Sequence, residues 1–321
     1  MTRRFVLAAL WLFVPAASRA QDQPDPRWLR RSQQSRISPL RRRAYLELAR
    51  LHLERGDDGR QEHYRPSPSQ TAFASMGLDV LPVLAEALDD NTPTQRFHVD
   101  KYGKRITRIP VNEWVARLIV GLAQRNFVLG DQPHERLIHE VGTFPELTPR
   151  FQRLVLDWYA HNRNRTLTQR KIMDLSDGWF RNRLDALEWL GRRKEASGTA
   201  AIIRYIDRNL AKESVDTLTD TELAESALAL GQIGDRSALP AVRRVRDHLL
   251  KYAEGPNGLP AYFQDYIAPA KLFQVYQSLA LLGEKSRALK DLQRLYARHA
   301  AAMQPKARRD YQRKLKAAAL W

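Results

Sequence analysis

The residues that most invite a chemical reading are His134, Glu135 and His139. Two histidines four apart on a helix share a face and can hold one zinc ion, with the intervening glutamate as base. Here the spacing is five, which puts the rings about 140° apart on an ideal helix. Pro133 places His134 in the first turn of the expected helix, and no downstream third ligand is evident. The pair therefore reads as two surface histidines, and no metal ligand is assigned. The chain has no cysteine, which excludes thiol nucleophiles, iron–sulfur clusters and Cys-ligated zinc. It has no Gly-x-Ser-x-Gly elbow, phosphate loop or dinucleotide fingerprint. No carboxylate pair stands out for acid–base work, and no cofactor is expected. What remains chemically distinctive is cationic. The chain of 321 residues carries a formal charge of +17, which predicts attraction to polyanions.

That charge is uneven. Residues 21–50 and 301–321 are rich in Arg and Lys, whereas residues 51–100 are acidic. At the start, Arg3 and Arg4 precede an apolar run over residues 5–14. Ser18 and Ala20 then supply small residues at the two positions a signal peptidase inspects. Residues 1–20 are expected to be a secretory signal cleaved after Ala20, giving an exported, periplasmic or secreted protein. An uncleaved anchor is the alternative, although the apolar run is shorter than the roughly twenty residues that span a bilayer. Without a cysteine after it, lipid attachment is excluded.

The elements follow from hydrophobic period. Residues 21–37 contain proline and Ser-Gln runs with little periodicity, and are expected to be a flexible lead-in. Ser38-Pro39 predicts a helix start, with Ser38 as cap and Pro39 in the first turn. Residues 56–70 read as a loop. Residues 76–90 read as a helix with Pro82 early in it. Residues 96–109 alternate around a turn containing Gly103, which predicts a small basic hairpin carrying Lys101, Lys104, Arg105 and Arg108. Further helices are expected over residues 113–127, 133–141, 148–159, 166–173, 181–191, 196–210, 273–283, 288–299 and 306–321. Residues 255–260 read as a linking loop.

The centre of the pattern is residues 220–250. Leu223, Ala227, Leu230 and Ile233 make one apolar face. Gly231 and Gly234 are expected to end that helix, and Asp235 to cap the next. Val242, Val245 and Leu249 make a second face. The run Ala229-Leu230-Gly231-x-Ile233-Gly234-Asp235-x-x-Ala238-x-Pro240-x-Val242 resembles the HEAT-repeat family, in its bacterial form related to the phycobilin-lyase type. Pro82 with Leu84 matches Pro240 with Val242, and Gly191 lies forty residues before Gly231. The resemblance implies an all-α fold, an α-solenoid of about five to six helix pairs over residues 38–321, with a capping helix at its end. It also suggests comparison with HEAT-type DNA glycosylases, for which Asp157 with Trp158 or Asp185 with Trp189 would have to form a base-binding platform. Core tryptophans at helical spacing explain both pairs, and nothing marks a tetrapyrrole pocket.

Aligned on their apolar positions, the later repeats set Ile202, Val242 and Leu292 together, and Tyr205, Val245 and Leu295 together. The position between is Arg204, Arg244 and Arg294. In the earlier matches it is Glu86 and Glu140. Equivalent positions stack into a row in a solenoid, so a surface row, acidic then basic, is expected. By resemblance, the second-helix row of the concave face is where HEAT-like proteins bind. The expected function is a non-catalytic scaffold with a protein partner. The alternative is a module for an anionic polymer, lipid or nucleic acid, and an enzyme is the remote third reading.

Overall fold

The computed structural model describes residues 24–51, 53, 67–99, 105–131, 134–212, 217–253, 267–300 and 305–318. The signal expected over residues 1–20, most of the loop at 56–70 and the loop at 255–260 lie outside the described residues. Among the described residues the chain is mostly helical, with two small antiparallel ribbons. It divides into two compact units, Met1–Asn164 and Arg165–Trp321, each with its own core.

The first unit opens with α1 (Pro26–Ser32) and α2 (Pro39–Leu51). Helix α1 lies in what the sequence marks as a flexible lead-in. Its start is built by Pro26 in the first turn and by Asp25, whose carboxylate accepts from Arg27 N at 2.8 Å. Its position is set by Trp28, fully buried, whose Nε1 donates to Asp90 at 2.7 Å. Helix α2 starts at Pro39, with Arg41 N donating to Ser38 Oγ at 3.3 Å, as the Ser-Pro pair predicts.

A helical run follows: α3 (Pro68–Met76), a 3₁₀ turn, α4 (Leu81–Glu86) and a second 3₁₀ turn ending at Asp89. Ser67 and Gln70 form a reciprocal cap at its start. By length and composition Pro68–Asp89 would suit a membrane span. Phe73, Val80, Leu81 and Leu84 instead lie buried in the core of this unit. The predicted hairpin is present as β1 (Pro93–Val99) paired with β2 (Arg105–Pro110). Its turn, with Lys101 and Lys104, lies outside the described residues. Helix α5 (Val111–Ala123) ends at Gln124, which adopts the left-handed conformation at φ 53°.

The next segment departs from the sequence expectation. In place of a helix over residues 133–141 there is a second ribbon, β3 (Val128–Asp131) paired with β4 (His134–Leu137), then a 3₁₀ turn Ile138–Glu140. Ile138 and Val141 are buried, so the sequence marks the right apolar positions but suggests the wrong period. Helix α6 (Thr148–Asn162) closes the unit and packs beside α4.

The second unit contains α7 (Leu167–Asp174), α8 (Phe180–Arg193), α9 (Thr199–Leu210), α10 (Thr217–Ile233), α11 (Leu239–Ala253), α12 (Ile267–Leu279), α13 (Lys285–His299) and α14 (Pro305–Ala318). Helix α10 is central, flanked by α8 on one side and α12 on the other. Helix α9 follows α8 and lies beside α11, which follows α10. Leu223, Leu230, Val242, Val245, Leu292 and Tyr205 are all in this core.

The helix corners repeat. Lys194, Gly234 and Gly283 each take positive φ, at 53°, 83° and 104°. Each lies a few residues before the next helix, and Gly283 sits inside a π-helical turn, Ala280–Glu284. Asp235 accepts from Ser237 N at 3.0 Å and so caps the short turn leading into α11. Gly231 does not end its helix. It lies inside α10 where α12 crosses closest, and a Cβ there would meet Ser278 Cα at 2.6 Å. Gly191, in α8, has the equivalent role against α10, where an added Cβ would meet Ala229 Cα at 2.9 Å. Both are close contacts between neighbouring helices, where only a bare Cα fits.

Candidate binding face

The five residues that the sequence singles out separate into different environments. Glu86, at the end of α4, is bound within its own unit. It accepts from Arg31 Nη1 at 2.8 Å, Arg41 Nη2 at 2.5 Å and Tyr45 Oη at 2.8 Å. Burial, followed by the Glu86 contact, raises the Tyr45 phenol above its ordinary range. Stacked beside this group are Trp28 and Tyr45, centroids 6.0 Å apart, with Arg27 and Arg31 over the Trp28 ring. Glu86 is thus an internal tie between α1, α2 and α4. Glu140 lies in the 3₁₀ turn after β4, with Arg136 at 3.6 Å. It is not on the second helix of a pair, so the acidic half of the expected row does not consist of equivalent positions.

The basic half is closer to expectation. Arg204, Arg244 and Arg294 lie on α9, α11 and α13, and all three are exposed. Their apolar neighbours Ile202, Tyr205, Val242, Val245, Leu292 and Leu295 are buried. Arg244 reaches α9, where its Nη2 lies 2.5 Å from Asp207. Arg294 lies 3.7 Å from Asp291 on its own helix. Arg204 has no such carboxylate among the described residues.

Arg204 borders an open groove of about 580 Å³ between α7 and α9. Ile172, Met173, Leu175 and Ala201 form its apolar lining, and Met173 is 44% exposed. Arg208, one turn after Arg204, lies on the same side and reaches Ser176 Oγ at 3.5 Å. Sequence reasoning misses Arg208 and the α7 wall. The i, i+4 spacing of Arg204 and Arg208 is the available signal, since it puts both on one helix face.

The two constellations that the sequence offers for chemistry lie in different settings from those expected. His134 begins β4 and His139 lies in the following turn, so helical spacing does not govern them. Among the described residues, no group of three or more His, Asp or Glu is placed to hold a metal ion. Trp158 packs edge-on against Phe127, centroids 5.6 Å apart, and Trp189 packs against the second core. Both rings serve packing.

A largely buried polar group joins Arg183, Tyr205 and Glu222. Arg183 Nε donates to Glu222 at 2.7 Å and to Tyr205 Oη at 3.1 Å. Its Nη1 donates to the carbonyls of Asp177 and Gly178 at 2.7 and 2.9 Å. Burial, then the Glu222 contact, pushes the Tyr205 phenol well above its ordinary range. The guanidinium spends its donors on α9, α10 and the turn before α8. This arrangement rigidifies the junction, as a satisfied buried network does. No known family model, curated protein or solved structure matches this chain.

Proposed function

We propose that this chain is a non-catalytic binding scaffold of the HEAT-like solenoid type, exported to the periplasm or cell envelope, where it engages a protein partner. The observation that carries this reading is the repeated outward arginine on successive second helices: Arg204, Arg244 and Arg294. Support for the repeat comes from the matching corners at Lys194, Gly234 and Gly283 and from the close helix contacts at Gly191 and Gly231.

A protein partner is favoured over an anionic polymer by the charge pattern of the face. Arg244 is matched by Asp207 and Arg294 by Asp291. A uniform polyanion would meet those carboxylates with repulsion, whereas a protein surface can present both signs and complement them.

Salt dependence tests the choice. Partners cross-linked to the protein in the envelope are identified, and binding of the purified partner is measured from low to high salt. A protein interface with an apolar centre should lose about tenfold or less between about 50 and 200 mM salt. A polymer neutralising roughly six or more cations should lose about a thousandfold, because counterion release drives it. The steep result, or tight binding of heparin alone, would replace the protein reading with the polymer reading. The triple change of Arg204, Arg244 and Arg294 to Glu should abolish partner binding with little effect on the melting temperature.

A further inference from the structure

We infer that the groove between α7 and α9 is a docking site for a short acidic segment of a partner protein, one apolar side chain filling its lining and neighbouring carboxylates pairing with Arg204 and Arg208. This inference rests on the scaffold reading and names the partner's chemistry at a single region of the face.

The inward positions of α9, Ile202, Tyr205 and Ile206, are committed to the core. Arg204 and Arg208, one turn apart, are exposed. Arg208 finds a hydroxyl at 3.5 Å and the face of Tyr205 at 5.8 Å. The carboxylate between them in sequence, Asp207, is already taken by Arg244 from α11. Asp207 also lines the groove, so the rim offers two guanidinium groups against one carboxylate that is itself paired with Arg244. Guanidinium groups match carboxylates in geometry and can bind them through two parallel hydrogen bonds.

The lining sets the second half of the specificity. Met173 and half-buried Ile172 present the apolar surface beside those cations, with the largely buried Leu175 and Ala201 completing the lining. Met173 is unbranched and exposed, and thioether side chains of this kind accommodate apolar partners of varied shape. The groove's volume of about 580 Å³ is ample for a large apolar side chain together with flanking residues. A sulfated polysaccharide has no group to fill that lining. A small amphiphilic acid needs a cavity that covers roughly 70–90% of its surface, and this groove is open to solvent. A peptide fits both conditions, because its backbone can remain in water while one side chain enters.

The test is selection followed by mapping. A displayed library of random dodecapeptides is panned against the full chain, and enriched peptides are labelled for fluorescence anisotropy. The expected consensus is a Leu, Ile, Met or Phe with two Asp or Glu within the next four positions. The double change Arg204→Glu with Arg208→Glu should weaken such peptides by about tenfold or more, as reversal of two paired charges does. Met173→Ser should weaken them about threefold, and Lys290→Glu on α13 should leave them unchanged. All of these side chains are exposed or on the groove wall, and unchanged helical circular dichroism verifies that the fold persists. Enriched peptides that lack carboxylates, or that bind the double variant within twofold of wild type, overturn the groove assignment while leaving the scaffold reading in place. Failure to enrich any peptide overturns it equally. If heparin then binds in a manner that the double variant abolishes, the scaffold reading falls together with it.

Discussion

Replacing Gly231 with alanine tests the helix arrangement that carries the arginine face. The new methyl would lie 2.6 Å from both Cα and Oγ of Ser278 and 2.9 Å from its Cβ. Carbon atoms are comfortable at about 3.5–4.0 Å, so α10 and α12 would have to separate by about 1 Å. Overpacking on this scale costs about 1–3 kcal/mol. The shift would also disturb the bond that Ser278 Oγ donates to Ala227 O at 2.5 Å, which contributes about 1 kcal/mol. Against these stands the better helix propensity of alanine, a gain of about 1 kcal/mol. The net expectation is a loss of about 1–3 kcal/mol in the second unit. For a unit of this size, a loss of about 2 kcal/mol lowers the melting temperature by about 4–8 °C. Hydrogen exchange of peptides from α10 and α12 isolates that unit from the rest of the chain. Gly121→Ala is the control. Gly121 lies in α5, is exposed, and has nothing within 4 Å of an added Cβ. It should gain up to about 1 kcal/mol. If Gly231→Ala matches or exceeds wild type in protection and melting temperature, the close approach of α10 and α12 is wrong.

Trp28→Ala should destabilise the first unit by about 3–5 kcal/mol, the range for losing a large buried ring, and should expose α1 to protease. Equal melting and cleavage would return residues 24–33 to the status of an unattached lead-in. Stability should also fall at alkaline pH. Tyr205 and Tyr311 both have phenols raised by burial. They stay neutral in the fold after the unfolded phenols begin to ionise near pH 10. The unfolded state then holds fewer protons, so the slope of stability with pH is negative there. Their contribution is complete below about pH 10 and is lost as pH rises beyond it. Urea midpoints compared at about pH 8 and 10.5 measure this, and Tyr205→Phe with Tyr311→Phe should flatten the difference.

Much of the second unit is legible in the sequence because its signals are local. Steps of three and four place Leu223, Ala227 and Leu230 on one face, and all three are buried. Gly234 announces a left-handed corner, since glycine adopts that conformation without steric cost. Lys194 occupies the equivalent corner with a side chain that gives no such sign. Gly231 misleads for the opposite reason. Its meaning lies in Ser278, forty-seven residues away in sequence, and no short-range rule sees that contact. The second ribbon is hidden because Leu137, Ile138 and Val141 satisfy a helical spacing over too short a span to exclude a strand followed by a turn. Gly130 and Asp131 lie within β3, opposite Glu135 and His134. Helix α1 is seven residues long and held by Trp28 to Asp90, so its existence depends on tertiary contacts that periodicity does not encode.

The same division runs through the candidate site. An α-helix turns about 100° per residue. Arg204 is therefore about 200° from Ile202 and about 100° from Tyr205, which forces it outward once those two face the core. The same arithmetic places Arg244 between Val242 and Val245. Outward orientation is thus a property that sequence can supply. Freedom to bind is not, because it depends on which charges the neighbouring helices bring. Arg244 and Arg204 share a position in the sequence alignment, yet among the described residues Arg244 is matched by Asp207 from α9 and Arg204 is not. In Glu86 the effect is complete: three donors from α1 and α2 occupy its carboxylate. Like residues in an alignment become unlike groups in the fold, and Arg204, with no ion-pair partner of its own among the described residues, borders a groove that Asp207 and Arg208 also line.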